Sequence, residues 1–257
     1  MLSASKALRW PKRTGMRLLY TTLSIDNKVY LGRGAWGKAP SPSCASALGW
    51  KPVDSTSLLR LLQWADSAVP IGAAAHSFGL ETLAAEDLLD PETLEAFLRD
   101  YLEEAGSMEA VFLQRAWRGD NPRILSEELG ARKPAREPRE GSLKLGRRFA
   151  ELVNAVTGAA IIPADIHYCV AFGLAGAMLS VPKDTVTLAY LHQSVAGLLS
   201  ACQRLLPLGQ VAASKILWNL KPAIARAAVA EEVACFTPLL EVASMRHGTL
   251  ETRLFIS

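Results

Sequence analysis

Beyond residue 54, apolar residues recur at spacings of three and four along almost the whole chain, the period of a helix with one buried face. In DSTSLLRLLQWA, Leu58, Leu59, Leu61, Leu62 and Ala65 form a broad stripe behind Asp54 and Ser55, both capping residues by type. A break at Pro70-Ile71-Gly72 leads through the small-residue run AAAHSFGLE into a second helix. The strongest pattern is LDPETLEAFLRDYLEEAGSMEAVF. Asp90 is its cap, Pro91 fits the first helical position, and Leu94, Phe97, Leu98, Tyr101, Leu102, Ala105, Met108 and Phe112 share a face.

Residues 119–141 carry mixed charge and three prolines, which predicts a loop holding at most one short helix near Ser126–Leu129. Leu145, Phe149, Leu152, Val153 and Val156 mark a helix ending near Gly158. The run DIHYCVAFGLAGAMLSV is about fourteen residues of nearly unbroken apolar character, short of the roughly twenty that span a bilayer, so it reads as a buried core helix. Its Ala171, Gly173, Ala175, Gly176 and Ala177 leave room for a close neighbour. The next helix carries Leu188, Leu191, Val195, Leu198, Leu199, Cys202, Leu205 and Leu206 on one face and breaks at Pro207. LGQVAASKILWNLK starts another that stops at Pro222. Two more cover about 222–233 and 237–247, the last closed by Gly248 as a left-handed cap.

The pattern predicts an all-α protein: one globular bundle of nine or ten helices over residues 54–248, an irregular basic leader over 1–53, and a short tail over 249–257. Composition agrees. Half of the 257 residues are hydrophobic but only 7% are aromatic, and Ala and Leu dominate, both strong helix formers.

The net charge of +3 conceals an asymmetry. Residues 1–53 hold nine Lys/Arg against the single acid Asp26, while the rest holds 19 basic and 24 acidic side chains. Basic charge confined to an irregular leader does not make the folded basic face that nucleic acid requires. The first 25 residues, basic and acid-free, have a composition shared by a transit peptide, by an overextended start with Met16 as initiator, and by a plain leader. Within the leader, YTTLSIDNKVYL alternates loosely around Asp26-Asn27, as a small hairpin would. The four cysteines, Cys44, Cys169, Cys202 and Cys235, form no CxxC pair and read as thiols of a reducing compartment, which points to the cytoplasm.

Catalytic signatures are weak. None of the four histidines follows a Glu at the spacing of a carboxylate-bridged metal site, and no nucleophile elbow or phosphate-binding loop is present. Asp165 and His167 stand together at a helix start, where a capping Asp beside a hydrogen-bonded His is the simpler reading. Cys235 and His247 could meet across the last helices, but a core thiol and a helix-terminal histidine suffice. Two polar clusters need an account: ADSAVPIGAAAHSFGLE, with Asp66, His76, Ser77 and Glu81, and the apolar ending RHGTLETRLFIS.

These clusters belong to four blocks that together resemble the urease accessory protein F (UreF) family. LLQWADSAVPIGAAAHSFGLE, REGSLKLGRRFAEL, HYCVAFGLAGAML followed by RLLPLGQ, and MRHGTLETRLFIS occur in the family's order from about Leu58 to Ser257. Ala74 stands where an aromatic is usual, and residues 1–53 have no counterpart. The resemblance implies an all-α, non-catalytic subunit. Its expected partners are the D-type accessory protein (called H in some organisms), the G-type GTPase and apo-urease, with nickel handled by the complex and no cofactor held tightly by this subunit. It also implies a homodimer within that complex, with neither nucleic acid nor membrane as a partner. Partner contacts are expected from His76, Ser77, Glu81, Arg246, His247, Arg253, Leu254 and Phe255, with Leu254 and Phe255 as apolar anchors, Arg253 as a forked donor, and the tail loose until bound. The competing reading is a helical metal-binding protein or enzyme using His76, Asp165, His167, His192 or His247.

Overall fold

The structure, a computed structural model, describes residues 28–29 and 53–256. The chain divides into two units, residues 1–52 and 53–257. Of the first, only the two-residue strand β1 (Lys28–Val29) is described, so the expectations of a hairpin, a transit segment and an irregular leader lie otherwise outside the described residues.

The second unit is all-α, as the periodicity predicts. After the short strand β2 (Val53–Asp54) come α1 (Ser55–Trp64), a 3₁₀ turn (Ala73–Ala75), α2 (Leu80–Ala85), α3 (Leu94–Tyr101), a π turn (Leu102–Gly106), α4 (Ser107–Arg118), α5 (Pro122–Ala131) and α6 (Arg136–Thr157). The chain continues with α7 (Tyr168–Met178), α8 (Lys183–Leu205), α9 (Gln210–Asn219), α10 (Lys221–Ala227), α11 (Pro238–Arg246) and a 3₁₀ turn (His247–Thr249). Because α3, the π turn and α4 run on without a break, the eleven α segments of the described residues amount to ten separate helices.

Local chemistry accounts for most boundaries. Asp54 accepts the Ser57 amide at 2.9 Å and caps α1. Asp90 accepts the amides of Glu92 and Thr93, each at 2.8 Å, which organises a turn one step before α3 begins at Leu94. Gly158 ends α6 at φ 70°.

Three expectations are corrected. Residues 119–141 are mostly helical: Asn121 caps α5 with Pro122 at its first position, and α6 already starts at Arg136. Their prolines signalled helix starts, because Pro122 and Pro138 fall in first turns, where no amide donor is needed. The helix foreseen over 222–233 ends at Ala227, because the carbonyls of Ala228 and Ala230 are taken by the Gln114 side chain at 3.1 and 3.2 Å. Gly248 is not a left-handed cap. It lies inside the 3₁₀ turn that continues α11, where the Thr249 hydroxyl donates to the Arg246 carbonyl at 2.7 Å.

The core is built around α7, buried along nearly its whole length by α4, α6 and α8. Close approach is possible because Gly173 has no side chain: a Cβ there would lie 2.4 Å from the Leu113 carbonyl oxygen. Phe149 stacks on Phe172 at 5.5 Å and takes the edges of Trp64 and Tyr168 at 6.1 and 5.3 Å, tying α1, α6 and α7 together. In the interior Lys133 meets Glu109 at 2.7 Å, and the Tyr190 hydroxyl donates to the same carboxylate at 2.8 Å. Burial alone would push the Glu109 carboxyl up, yet the Lys133 ammonium beside it holds it below its usual value. Lys133 is raised in turn, the carboxylate outweighing burial.

Candidate functional site

The tail is not loose. Its backbone is held by the side chain of Glu81, which projects from the first turn of α2 and is only 4% exposed. One carboxylate oxygen accepts the Leu254 amide; the other accepts the Phe255 amide at 3.2 Å and faces His247 Nε2 at 2.8 Å. The opposite ring nitrogen of His247 lies 2.7 Å from a carboxylate oxygen of Glu137 in the first turn of α6. The Ile256 amide donates to the Ala75 carbonyl at 2.8 Å. A carboxylate with three such partners is satisfied despite its burial, and charge-assisted bonds of this kind are among the strongest a protein makes.

Two further features place the anchor. Gly79, at φ 93°, turns the chain so that α2 starts under α11; a Cβ there would come within 2.7 Å of the Ser244 hydroxyl. Phe255 is 5% exposed, and the Arg204 guanidinium of α8 lies 4.3 Å from its ring centre. Arg204 also donates to the Ala74 carbonyl at 2.7 Å, so one side chain clamps both the 3₁₀ turn and the tail.

The expected partner residues therefore fall into two groups. Glu81, His247 and Phe255 are buried and build the seat of the tail. His76 and Ser77 are buried beside it, with the His76 ring stacked on Phe78 at 5.5 Å. Burial, then Lys144 and Arg148, lowers the His76 pKa. Facing outward are Arg253, Leu254 at 66% exposed, and Arg246, which pairs with Glu86 at 2.8 Å. Phe255 as an outward anchor and a tail loose in the free protein are both corrected. The reason is what the tail lies against: Glu81 holds the Phe255 amide and Arg204 covers its ring, while Leu254 and Ile256 stay exposed.

Sequence reasoning missed Glu137, which lay in the segment read as loop, and missed Arg204 as the cover of Phe255. No spacing rule links either to the tail. It also missed that Leu239, Val242 and Met245, three residues apart on α11, are about half exposed in one stripe.

The residues of the competing reading are dispersed in different surroundings. Asp165 does not cap α7; it pairs with Arg147 at 2.9 Å, and His167 takes the cap position instead. The His167 backbone amide donates to the Ser126 hydroxyl at 2.9 Å, and its Nδ1 has no partner among the described residues. Burial above all, with Lys133 next, pushes the His167 imidazole down to about 4, against the opposing pull of Glu109. His192 is lowered by burial and Lys221. The Cys235 thiol lies beside the Thr237 hydroxyl, while both nitrogens of His247 face carboxylates. Among the described residues no group of three or more His, Cys, Asp or Glu side chains is arranged to hold a metal ion, and no helix is long and apolar enough to cross a membrane.

Comparison with known proteins bears on the same blocks. The UreF family profile matches residues 88–221, just over half of the chain. A urease accessory protein UreF from Cereibacter sphaeroides is 36% identical over 209 residues, covering 78% of this chain and 99% of the relative. Those from Rhodopseudomonas palustris and Nostoc sp. are 34% and 33% identical over 224 and 232 residues, covering 79% and 80% of this chain and 94% and 100% of theirs. Matches that span nearly the full length of each relative extend beyond the central helices, and the chain belongs to the UreF family of urease accessory proteins.

Proposed function

We propose that this protein is a non-catalytic subunit of the urease maturation apparatus that works by protein recognition. It binds the D/H-type scaffold protein and recruits or regulates the G-type GTPase during nickel insertion into apo-urease, acting in the cytoplasm as a homodimer within that complex. Nickel is cargo of the assembly, and this subunit holds no cofactor of its own.

Family membership supports the pathway, and the ordered tail supports recognition as the means. The observation that carries the reading is the clamp on the tail backbone. With Leu254 and Phe255 amides fixed on Glu81, Arg253 and Leu254 are displayed on the surface as a forked cation next to an apolar side chain. A pre-ordered display avoids part of the entropy cost of ordering a segment at the moment of binding.

Removal of residues 249–257 tests it directly. The truncated chain should keep its helical content and lose co-purification with the D-type partner; undiminished co-purification overturns the tail as the docking element.

A further inference from the structure

Beside the Lys133–Glu109 pair the helices enclose a cavity of about 120 Å³. Engineered apolar cavities of about 150 Å³ take up a benzene ring, so the space is of molecular size. Phe78, Met108, Leu145, Leu198 and Leu240 supply an apolar wall, and Glu109, Lys133, Tyr101 and Tyr168 a polar one. Three features point to an occupant. First, Lys133 is only 9% exposed, and among the described residues its ammonium donates to Glu109 alone. An ammonium carries three donors, and buried donors left without a partner cost stability. The Tyr168 hydroxyl accepts from Gln193 at 2.7 Å and still has its own proton to give. Second, Gly197 stands in the interior of α8, where glycine is among the least favourable residues. Packing does not require it, since a Cβ there would meet nothing within 4 Å. Gly197 is exposed and lines the cavity, so its missing side chain keeps the mouth open. Third, the π turn between α3 and α4 flanks the same space, with Tyr101 just before it and Ala105 within it on the wall. Such turns occur frequently at functional sites.

Charge selects the ligand's polar group. Lys133 is already matched by Glu109, and Glu241 also lines the cavity. An anion would add to this excess of negative charge in a largely dry space. A cation would stand against the Lys133 ammonium and leave its donors idle. A neutral acceptor takes those donors and brings no charge to bury. We propose that the cavity is a binding site for a small neutral organic molecule, with a ring-sized apolar body against Phe78, Met108 and Leu198 and a carbonyl-type acceptor on Lys133. The molecule is an exchangeable ligand that enters past Gly197, and its binding is independent of the docking role of the tail.

Calorimetric titration of the purified full-length protein with benzamide, benzoate and benzylamine tests this, because the three share a ring and differ in the charge of the attached group. Benzamide should bind saturably at one site with a Kd of about 1 mM or below, and the other two about tenfold more weakly or worse. Gly197→Leu puts a good helix former into the open mouth. It should melt at or above the wild-type temperature and weaken benzamide binding about tenfold or more. A measurement on the wild type locates the site without any variant: benzamide should slow amide exchange in the peptides spanning 101–109 and 190–198 and leave that spanning 250–256 unchanged. Absence of saturable benzamide binding overturns the proposal. So does benzoate or benzylamine binding as tightly as benzamide, undiminished binding by folded Gly197→Leu, or protection confined to peptides outside the cavity.

Discussion

Glu81 and His247, 166 residues apart in sequence, meet at 2.8 Å in the interior, and the tail is seated on that contact. The pairing joins α2 to the end of α11 through one carboxylate that serves a side chain and two backbone amides at once. Losing the carboxylate would strand three donors, each costing about 1–3 kcal/mol if left buried without a partner. The same site therefore holds the fold together and sets which residues of the tail are on view.

Phe255 and Leu254 should separate these two roles. Phe255→Ala removes a buried ring and its contact with Arg204, weakening the seat by about 2–3 kcal/mol. It should expose the bond after Arg253 to trypsin under native conditions. Leu254→Ala truncates a side chain that is already largely in solvent, so resistance to trypsin should match wild type while co-purification with the D-type partner weakens. Equal trypsin sensitivity in the two variants would contradict the inward and outward assignment.

The buried Lys133–Glu109 pair should show the asymmetry of interior charges. Lys133→Met leaves the Glu109 carboxylate without its cation and should destabilise the protein by about 3–5 kcal/mol in urea unfolding. Adding Glu109→Gln removes the stranded charge and keeps an acceptor for the Tyr190 hydroxyl. The double variant should therefore be more stable than Lys133→Met alone; the reverse order would mean that the charges are not coupled.

His167 predicts an acid limb in the stability profile. Its imidazole is pushed down to about 4 in the folded protein and titrates near its ordinary 6.5 when unfolded. Above pH 6.5 neither state binds the proton and the group contributes nothing to pH dependence. As pH falls from 6.5 toward about 4 the unfolded state takes a proton that the native state refuses, so stability drops, by up to about 3 kcal/mol, and then levels off. His76 is lowered in the same direction, so the test is the difference between wild type and His167→Asn in urea melts across this range. A difference independent of pH would remove His167 as the source.

How much of this was legible follows from the range of each interaction. Helical period and capping chemistry act within one or two turns, and they placed α1, α7 and α8 closely. Proline misled where position mattered more than identity: at 122 and 138 it opens helices, and a composition count over 119–141 treats it as a breaker. The end of α10 and the closure of α11 were misjudged for another reason. Gln114 decides the first and Glu81 with Glu137 the second, all from distant sequence. At the site, Glu81, His247 and Phe255 were named, but their direction was not. Whether a residue faces in or out of a terminal segment depends on what that segment lies against, and only the folded chain supplies this.

The position of Glu81 also bears on how the protein is made. Its carboxylate is synthesised 173 residues before the Leu254 amide that it holds. Until His247, Leu254 and Phe255 have been synthesised, α2 carries a charge destined for the interior with none of these partners yet in existence. The seat of Glu81 thus closes only once residues 247–255 have been made, and a chain lacking them carries an open, charged seam beside α2.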